Sequence, residues 1–410
     1  MNFFFTLFFI LFGCILINLL CKKINIPSLV GYLIFGIIIS ILETYCSSSS
    51  FHFLDTNIAS ISTYIRKMAL IIILVKAGLS LNMSDLKKVG RPSILMSFIP
   101  ALSEMCIVGL IAPLLFPDLS YVESFLLGSV LGAVSPAVVI PMMGKLLDED
   151  IGTKKGIPQL IIASSSIDDI IMIVFFQAFL SLEKGGSISF FTFLNIPISI
   201  LSGICIGVLL GFLISYLFKK ININETLKLI IIFTISFGLT FVEEILSYYF
   251  SYSSLLSIIT MCIFIKKYHP DLSKNLVISC NKIWVIAEMF LFTLVGSIIN
   301  IEYAFKYLVL GILLIVISLL FRSIAVSCCL IKTPLNKKER TFTILSYLPK
   351  ATVQAALGGI LLDYGNSINN EAIILSGTIV LSISIIAILI SAPLGAISMN
   401  LTYKKLLDND

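Results

Sequence analysis

The sequence predicts an all-α polytopic membrane protein, and three observations carry that prediction. Of 410 residues, 58% are hydrophobic and only 12% charged, with a mean hydropathy of +1.07. Soluble globular chains do not show that balance. Apolar runs of about 20 residues recur along the whole chain, each able to cross a hydrocarbon core about 30 Å thick as a helix. The loops between them alternate in basic charge, as expected of a multi-pass protein. No hydrophilic stretch is long enough for a separate domain, so residues 1–410 are expected to form a single transmembrane domain.

The runs give about thirteen spans: 3–20, 27–42, 65–81, 93–114, 123–145, 156–181, 191–218, 228–246, 252–266, 282–299, 303–330, 341–362 and 371–400. The last contains a candidate break at Pro393. The Phe-rich start lacks a basic flank and a small-residue cleavage site, so it reads as a retained first helix rather than a signal peptide. One set of loops and span ends holds Lys22-Lys23, Lys87-Lys88, Arg91, Lys154-Lys155, Lys219-Lys220, Lys266-Lys267, Lys337-Lys338 and Lys404-Lys405, among others. The other set holds only Arg66, Lys67, Lys184 and Lys306. The positive-inside rule then places the N-terminus outside and the C-terminus in the cytosol or its equivalent, and an odd span count agrees. The membrane that hosts the chain, plasma or organellar, leaves no mark in the sequence. The cysteines lie mostly in apolar runs without metal-ligand spacing and read as buried small hydrophobes. His52 and His269 fall in loops, which argues against a histidine metal or catalytic site. Loop charge explains the net charge of +5, so no nucleic-acid partner is expected.

Charges inside the spans are few, and each is costly unless it serves a purpose. They are Lys76, Glu104, Asp168, Asp169, Glu288, Arg322 and Lys350. At about 1.5 Å per residue, Asp168 lies about 18 Å beyond Gly156. Glu104 is about as deep, and Arg322 and Lys350 each lie about 15 Å from the nearest loop charge, so all four sit near mid-bilayer. Glu288 is about 9 Å deep, and Lys76 has a stem long enough to reach the interface. Both read as packing or gating charges rather than ligands.

Two spans are interrupted at the same depth. The fifth contains Ser135-Pro136 after Gly128 and Gly132; the twelfth contains Pro349-Lys350 followed by Thr352, Gln354 and Gly358-Gly359. Proline frees a carbonyl, which within a bilayer must be satisfied by protein or a water-filled cavity. Paired interrupted helices in corresponding positions of two halves point to a transporter site. An offset of seven spans inverts orientation, so the bundle of spans four to six is expected to recur upside down as eleven to thirteen. Glu104 and Arg322 are then counterparts.

Adjacent aspartates on a helix point about 100° apart. In a poorly solvated site both cannot ionise freely, so the pair takes up a proton or a cation in competition. Exposed alternately to each side, such a site performs exchange. A hard cation such as Na⁺ would take oxygens from Asp168 and Asp169, the hydroxyls of Ser135 and Thr352, carbonyls freed by Pro136, and water. Lys350 is expected to pair with an aspartate in at least one protonation state, and Glu104 with Arg322. If Lys350 stays charged, one cation for one proton is natural; if it releases a proton, exchange is electrogenic. Ser164 to Ser166 read as packing residues that bond back to their own helix. Glu243-Glu244 mark an outer funnel mouth or a loop edge. An intramembrane aspartyl protease needs aspartates facing each other from different helices, which neighbours on one helix do not provide. No cofactor and no enzymatic activity are expected.

Several segments carry a family resemblance: Leu74-Val-Lys-Ala-Gly-Leu79, Leu131-Gly-Ala-Val-Ser-Pro-Ala-Val-Val139, Lys155-Gly-Ile-Pro158, Ser166-Ile-Asp-Asp-Ile170, Leu348-Pro-Lys-Ala-Thr-Val-Gln-Ala-Ala356 and Ser391-Ala-Pro-Leu-Gly395. In this order they resemble the NHA branch of the sodium/proton antiporters, solute carrier family 9 subfamily B in the cation/proton antiporter superfamily. The resemblance implies exchange of Na⁺ or Li⁺ for H⁺ by a homodimer in which an ion-carrying core slides like an elevator. It implies a core bundle at 93–181 and 303–400, a dimerisation bundle at 1–81 and 228–299, and a linker helix at 191–218. Asp168 and Asp169 match the family's ion-binding pair, Arg322 and Glu104 its interhelical ion pair, and Lys350 the lysine of its crossed helices, broken at Pro136 and Pro349. Lys76 and Glu288 depart from the Arg and Gln of relatives. K⁺/H⁺ exchange or another ion-coupled solute transport is the alternative that the site chemistry leaves open.

Overall fold

The computed structural model describes residues 3–24, 26–45, 56–81, 90–185, 190–221, 223–246 and 252–407. His52, Cys46, Lys87 and Lys88 lie outside them. The described chain is helix joined by turns and short irregular loops, with a single isolated bridge residue at Ile151. Its helices are α1 (Phe3–Lys23), α2 (Ser28–Tyr45), α3 (Thr56–Ser80), α4 (Arg91–Leu115), α5 (Tyr121–Leu131), α6 (Pro136–Asp148), α7 (Ile157–Lys184), α8 (Phe190–Lys220) and α9 (Glu225–Leu246). They continue as α10 (Ser254–Tyr268), α11 (Pro270–Ser297), α12 (Ile301–Lys306), α13 (Leu308–Cys329), α14 (Lys337–Ser346), α15 (Thr352–Leu357), α16 (Ile360–Ile368) and α17 (Glu371–Leu406).

Among the described residues, nine helices are long and apolar enough to cross a membrane, with Tyr121–Asp148 taken as one across its interruption. Large apolar side chains stay outward on them, for example Phe4, Leu114 and Val309, each about three-quarters exposed. In water so many would drive aggregation; in lipid they face a medium as apolar as themselves. The chain is a multi-pass integral membrane protein.

Two details differ from the sequence expectation. The span at 303–330 is two helices, α12 and α13, divided at Tyr307. Tyr307 anchors that division by donating its hydroxyl to Asp118 Oδ2 at 3.0 Å. Helix α17 runs unbroken through Pro393.

The chain divides into two compact units. The first comprises residues 1–66, 83–172 and 289–410. In it α4 packs on α5 and α13, and the long α17 packs on α5, α6, α14, α15 and α16. Most of α17 is therefore buried on all sides. The two interrupted segments begin alike. Helix α5 opens on a capping box in which Ser120 and Glu123 exchange hydrogen bonds, and α14 opens on the same device between Asn336 and Glu339. Such boxes satisfy the orphan amides of a first turn and fix where each helix starts.

The second unit comprises residues 67–82 and 173–288. Its core is the pair α8 and α10. Gly203, Gly207 and Gly211 recur every four residues and place one bare stripe of α8 against α10. A Cβ on Gly207 would sit 2.6 Å from the Ser257 carbonyl, and one on Gly211 2.6 Å from Phe264 Cβ. Where lipid supplies no hydrophobic drive between helices, this close approach supplies the packing. Ser257 Oγ adds a 2.8 Å bond to the Gly203 carbonyl. We expect Gly207→Leu to force the two helices apart and lower stability by about 1–3 kcal/mol, as overpacking does. A reduced Tm of the purified protein checks this, and an unchanged Tm would show the stripe to be dispensable. In the same unit Lys76 Nζ lies 6.0 Å from the centre of the Trp284 ring. Glu243 accepts from the Ser254 amide at 3.3 Å and from its hydroxyl at the start of α10, a structural role rather than a free funnel charge. His269 Nε2 is 2.9 Å from the Ser215 carbonyl. All cysteines among the described residues are free thiols.

Candidate functional site

The first unit contains both interruptions. Helix α5 stops at Leu131 and α6 starts at Pro136; α14 stops at Ser346 and α15 starts at Thr352. The interrupted strands of chain are tied directly, with the Ser135 amide donating to the Pro349 carbonyl at 2.8 Å. Helix α17 supports them from behind. Ser391 Oγ accepts the Lys350 amide at 3.0 Å, and Gly395 leaves room for the Pro349 ring, which any Cβ there would strike. That contact explains the Ser391–Gly395 segment of the resemblance.

Five ionisable side chains meet here, all buried: Glu104 on α4, Asp168 and Asp169 on α7, Arg322 on α13, and Lys350 in the second interruption. Arg322 is the hub. Its guanidinium donates to Glu104 Oε2 at 2.8 Å, to Asp168 Oδ2 at 2.5 Å, to the Tyr347 carbonyl at 2.8 Å and to the Gly132 carbonyl. Its planar fork suits this, since one delocalised charge serves several acceptors at fixed angles. Lys350 Nζ donates to Glu104 Oε2 at 2.8 Å and to the Leu131 carbonyl at 2.5 Å. Ser318 completes Glu104 with a 3.0 Å bond to Oε1.

The expected partnership of Glu104 with Arg322 is present. In this structure Lys350 pairs with Glu104 rather than with an aspartate, while Asp168 takes Arg322. The reason lies at the end of α5. That interruption leaves orphan carbonyls at the negative end of the helix, where cations are favoured. Arg322 and Lys350 occupy it, and Gln354 Nε2 donates to the carbonyls of Val130 and Ala133 at 2.9 and 3.0 Å. The carbonyl that Pro136 would leave free, Gly132, is therefore held by Arg322.

Three oxygens of the expected site stand differently. Asp168 Oδ1, Asp169 Oδ1 and Ser135 Oγ are buried without a hydrogen bond. Buried polar atoms are rarely left so, and each requires a reason. Asp169 has no ion pair among the described residues, so three acids face two bases. Thr352 is buried at the first position of α15. Ser164, Ser165 and Ser166 bond back to carbonyls of their own helix, at 2.5 Å from Ser164 to Leu160. Lys76 and Glu288 belong to the other unit.

Sequence reasoning missed Tyr347 and Gln354. Tyr347 is fully buried, holds Ser164 through its hydroxyl one turn before Asp168, and lies under the Arg322 guanidinium, 5.4 Å from the ring centre. A buried tyrosine and a buried glutamine beside a proline break were the available signal.

A multi-pass helical protein whose buried acids and bases converge on two interrupted helices is, by architecture, a membrane transporter rather than an enzyme. The particular family follows from comparison with known proteins. The chain belongs to the sodium/hydrogen exchanger family, whose transmembrane description matches residues 7–400. It is 31% identical to sodium/hydrogen exchanger 9B2 of Xenopus tropicalis over 412 residues, covering 97% of this chain and 74% of that protein. Human sodium/hydrogen exchanger 9B2 is 30% identical over 93% of this chain and 70% of its own length. Human sodium/hydrogen exchanger 9B1 is 30% identical over 84% and 67%. In fold, the chain is similar to the sodium proton antiporter MjNhaP1 from Methanocaldococcus jannaschii, with a TM-score of 0.81 over 99% of both chains at 22% identity.

Proposed function

We propose that the chain exchanges Na⁺ or Li⁺ for H⁺ across a membrane, with the two ions competing for one site built on Asp169 and Asp168. The observation that carries the reading is the charge count of the cluster. Glu104 and Asp168 are matched by Lys350 and Arg322, and Asp169 is left over. A lone buried carboxylate requires either a proton or a cation. The free oxygens of Asp168, Asp169 and Ser135 are hard ligands of the kind an alkali cation takes. Thr352, at the start of α15, is the fourth proposed ligand.

The same count favours one cation for one proton. In this reading Lys350 stays an ammonium, which its bonds to the Glu104 carboxylate and the Leu131 carbonyl support. The titrating charge is then one, and exchange is electroneutral. About thirteen spans, with α4 to α7 and α13 to α17 as inverted repeats that form the ion-carrying core, provide the alternating access. Residues 1–81 and 228–299 form the dimerisation bundle of a homodimer, 191–218 link the two, and the N-terminus lies outside.

Reconstitution in liposomes with an internal pH dye tests the reading. Na⁺ and Li⁺ should each dissipate an imposed pH gradient, and a clamped membrane voltage should not change the rate. Failure of every alkali cation would remove the exchange reading. A response to K⁺ alone would replace it with K⁺/H⁺ exchange, and a rate that follows voltage would overturn the one-for-one stoichiometry.

A further inference from the structure

Gln354 is wholly buried, carries no charge, and has no part in the ion pairs around it. Its amide nitrogen nevertheless makes two bonds, to the Val130 and Ala133 carbonyls. The second of these bonds reaches the ion site. The Ala133 carbonyl belongs to the same peptide group as the Val134 amide, and that amide donates to Asp168 Oδ2 at 3.2 Å. In a planar trans peptide the C=O and N–H point in opposite directions. Gln354 therefore grips one side of the 133–134 peptide while Asp168 is held on the other.

We propose that Gln354 is a positioning residue for the cation site: it fixes the 133–134 peptide so that Val134 N–H and Arg322 together hold Asp168 Oδ2 and turn Oδ1 toward the cation. The inference rests on the exchange reading above. Several features support it. Residues 132–135 are non-helical, so their orientation has no helical hydrogen-bond ladder to fix it. Gln354 lies on α15, which follows the other interruption, so its bonds tie the two interruptions together at the place where Asp168 is held. Arg322 alone leaves the carboxylate free to turn about the bonded oxygen, whereas a second donor to Oδ2 fixes its plane. A chain of bonds through one peptide also strengthens each member by polarisation. Gln354 does not itself touch the cation in this arrangement, because the peptide stands between it and Asp168.

A positioning role of this kind separates affinity from turnover. We compare wild-type protein with Gln354→Met, which keeps the length but has no donor, and Gln354→His, whose ring N–H restores one of the two bonds. Each is reconstituted in liposomes, and the initial rate is followed against Na⁺ concentration. In Gln354→Met the apparent KM for Na⁺ should rise about tenfold, the scale of one lost buried hydrogen bond. Its maximal rate should stay within about twofold of wild type, since only the ground-state grip on the cation is weakened. Gln354→His should fall between the two. A KM of Gln354→Met within about twofold of wild type, whatever the maximal rate, overturns the proposal, as does a His variant no better than the Met variant. If Gln354→Met does not fold, Gln354→Leu, which also lacks a donor, carries the same criterion. Wild-type protein that exchanges Na⁺ while the variants fail the pattern removes only the positioning role. Wild-type protein that exchanges no cation removes the exchange reading, and the positioning role with it.

Discussion

Asp169→Asn is expected to reduce Na⁺- and Li⁺-driven proton movement to the rate of protein-free liposomes while leaving a well-folded protein. Two consequences of one change are combined in that expectation. The asparagine keeps the volume and a polar tip but removes the charge that the cluster leaves unmatched, so neither proton nor cation has a group to neutralise. Removing an unpaired buried carboxylate also relieves a cost, so Tm should be unchanged or raised. Asp168→Asn gives the contrast. It removes the partner of Arg322 at 2.5 Å and leaves an excess cation in a buried site, with a stability loss of about 3–5 kcal/mol. Exchange and Tm are measured on the same preparations. Surviving Na⁺ exchange in Asp169→Asn would take the carrier role from that residue, and a large fall in its Tm would show that it has a structural partner.

What the sequence made legible follows from what a bilayer penalises. A charge in a span is so costly that Glu104, Asp168, Asp169, Arg322 and Lys350 could be selected without any knowledge of packing. Depth along a helix is likewise linear in sequence, and these groups do converge in one buried cluster. Which base meets which acid is not linear in sequence. Lys350 could reach either carboxylate group by depth, and the choice of Glu104 is made by the end of α5, where the Leu131 carbonyl fixes the ammonium. Gln354 and Tyr347 escaped notice because neutral residues in an apolar run carry no visible penalty, although each is buried and bonded. Proline was an incomplete guide. The chain is interrupted near Pro136, where Arg322, Lys350 and Gln354 take up the carbonyls of residues 130 to 133, yet α17 continues through Pro393. An interruption in a membrane needs side chains to receive it, and those come from distant helices.

The balance of charge in the cluster makes a second large prediction, in which two damaging changes together do less harm than one. Lys350→Met removes a cation from Glu104 and orphans the Leu131 carbonyl. Arg322 then faces Glu104 and Asp168 alone, one positive charge against two negative. Breaking a buried pair from one side is destabilising by about 3–5 kcal/mol. Glu104→Gln alone leaves two cations against Asp168, the same excess that Asp168→Asn leaves. Combining Glu104→Gln with Lys350→Met leaves Arg322 and Asp168 as a matched pair. The remaining glutamine accepts the Arg322 bond through its carbonyl oxygen and turns its amide nitrogen toward the Ser318 hydroxyl, which can accept it while donating to the Ile315 carbonyl. The double variant should therefore be more stable than Lys350→Met alone, with a coupling of about 1–3 kcal/mol of the sign that rescues. Tm values of the four proteins, wild type included, close the cycle. If the effects of the two substitutions simply add, then charge balance is not what holds the cluster. In that case the one-for-one exchange argued from the same balance loses its physical basis, because the surplus of Asp169 has meaning only where the other four charges cancel.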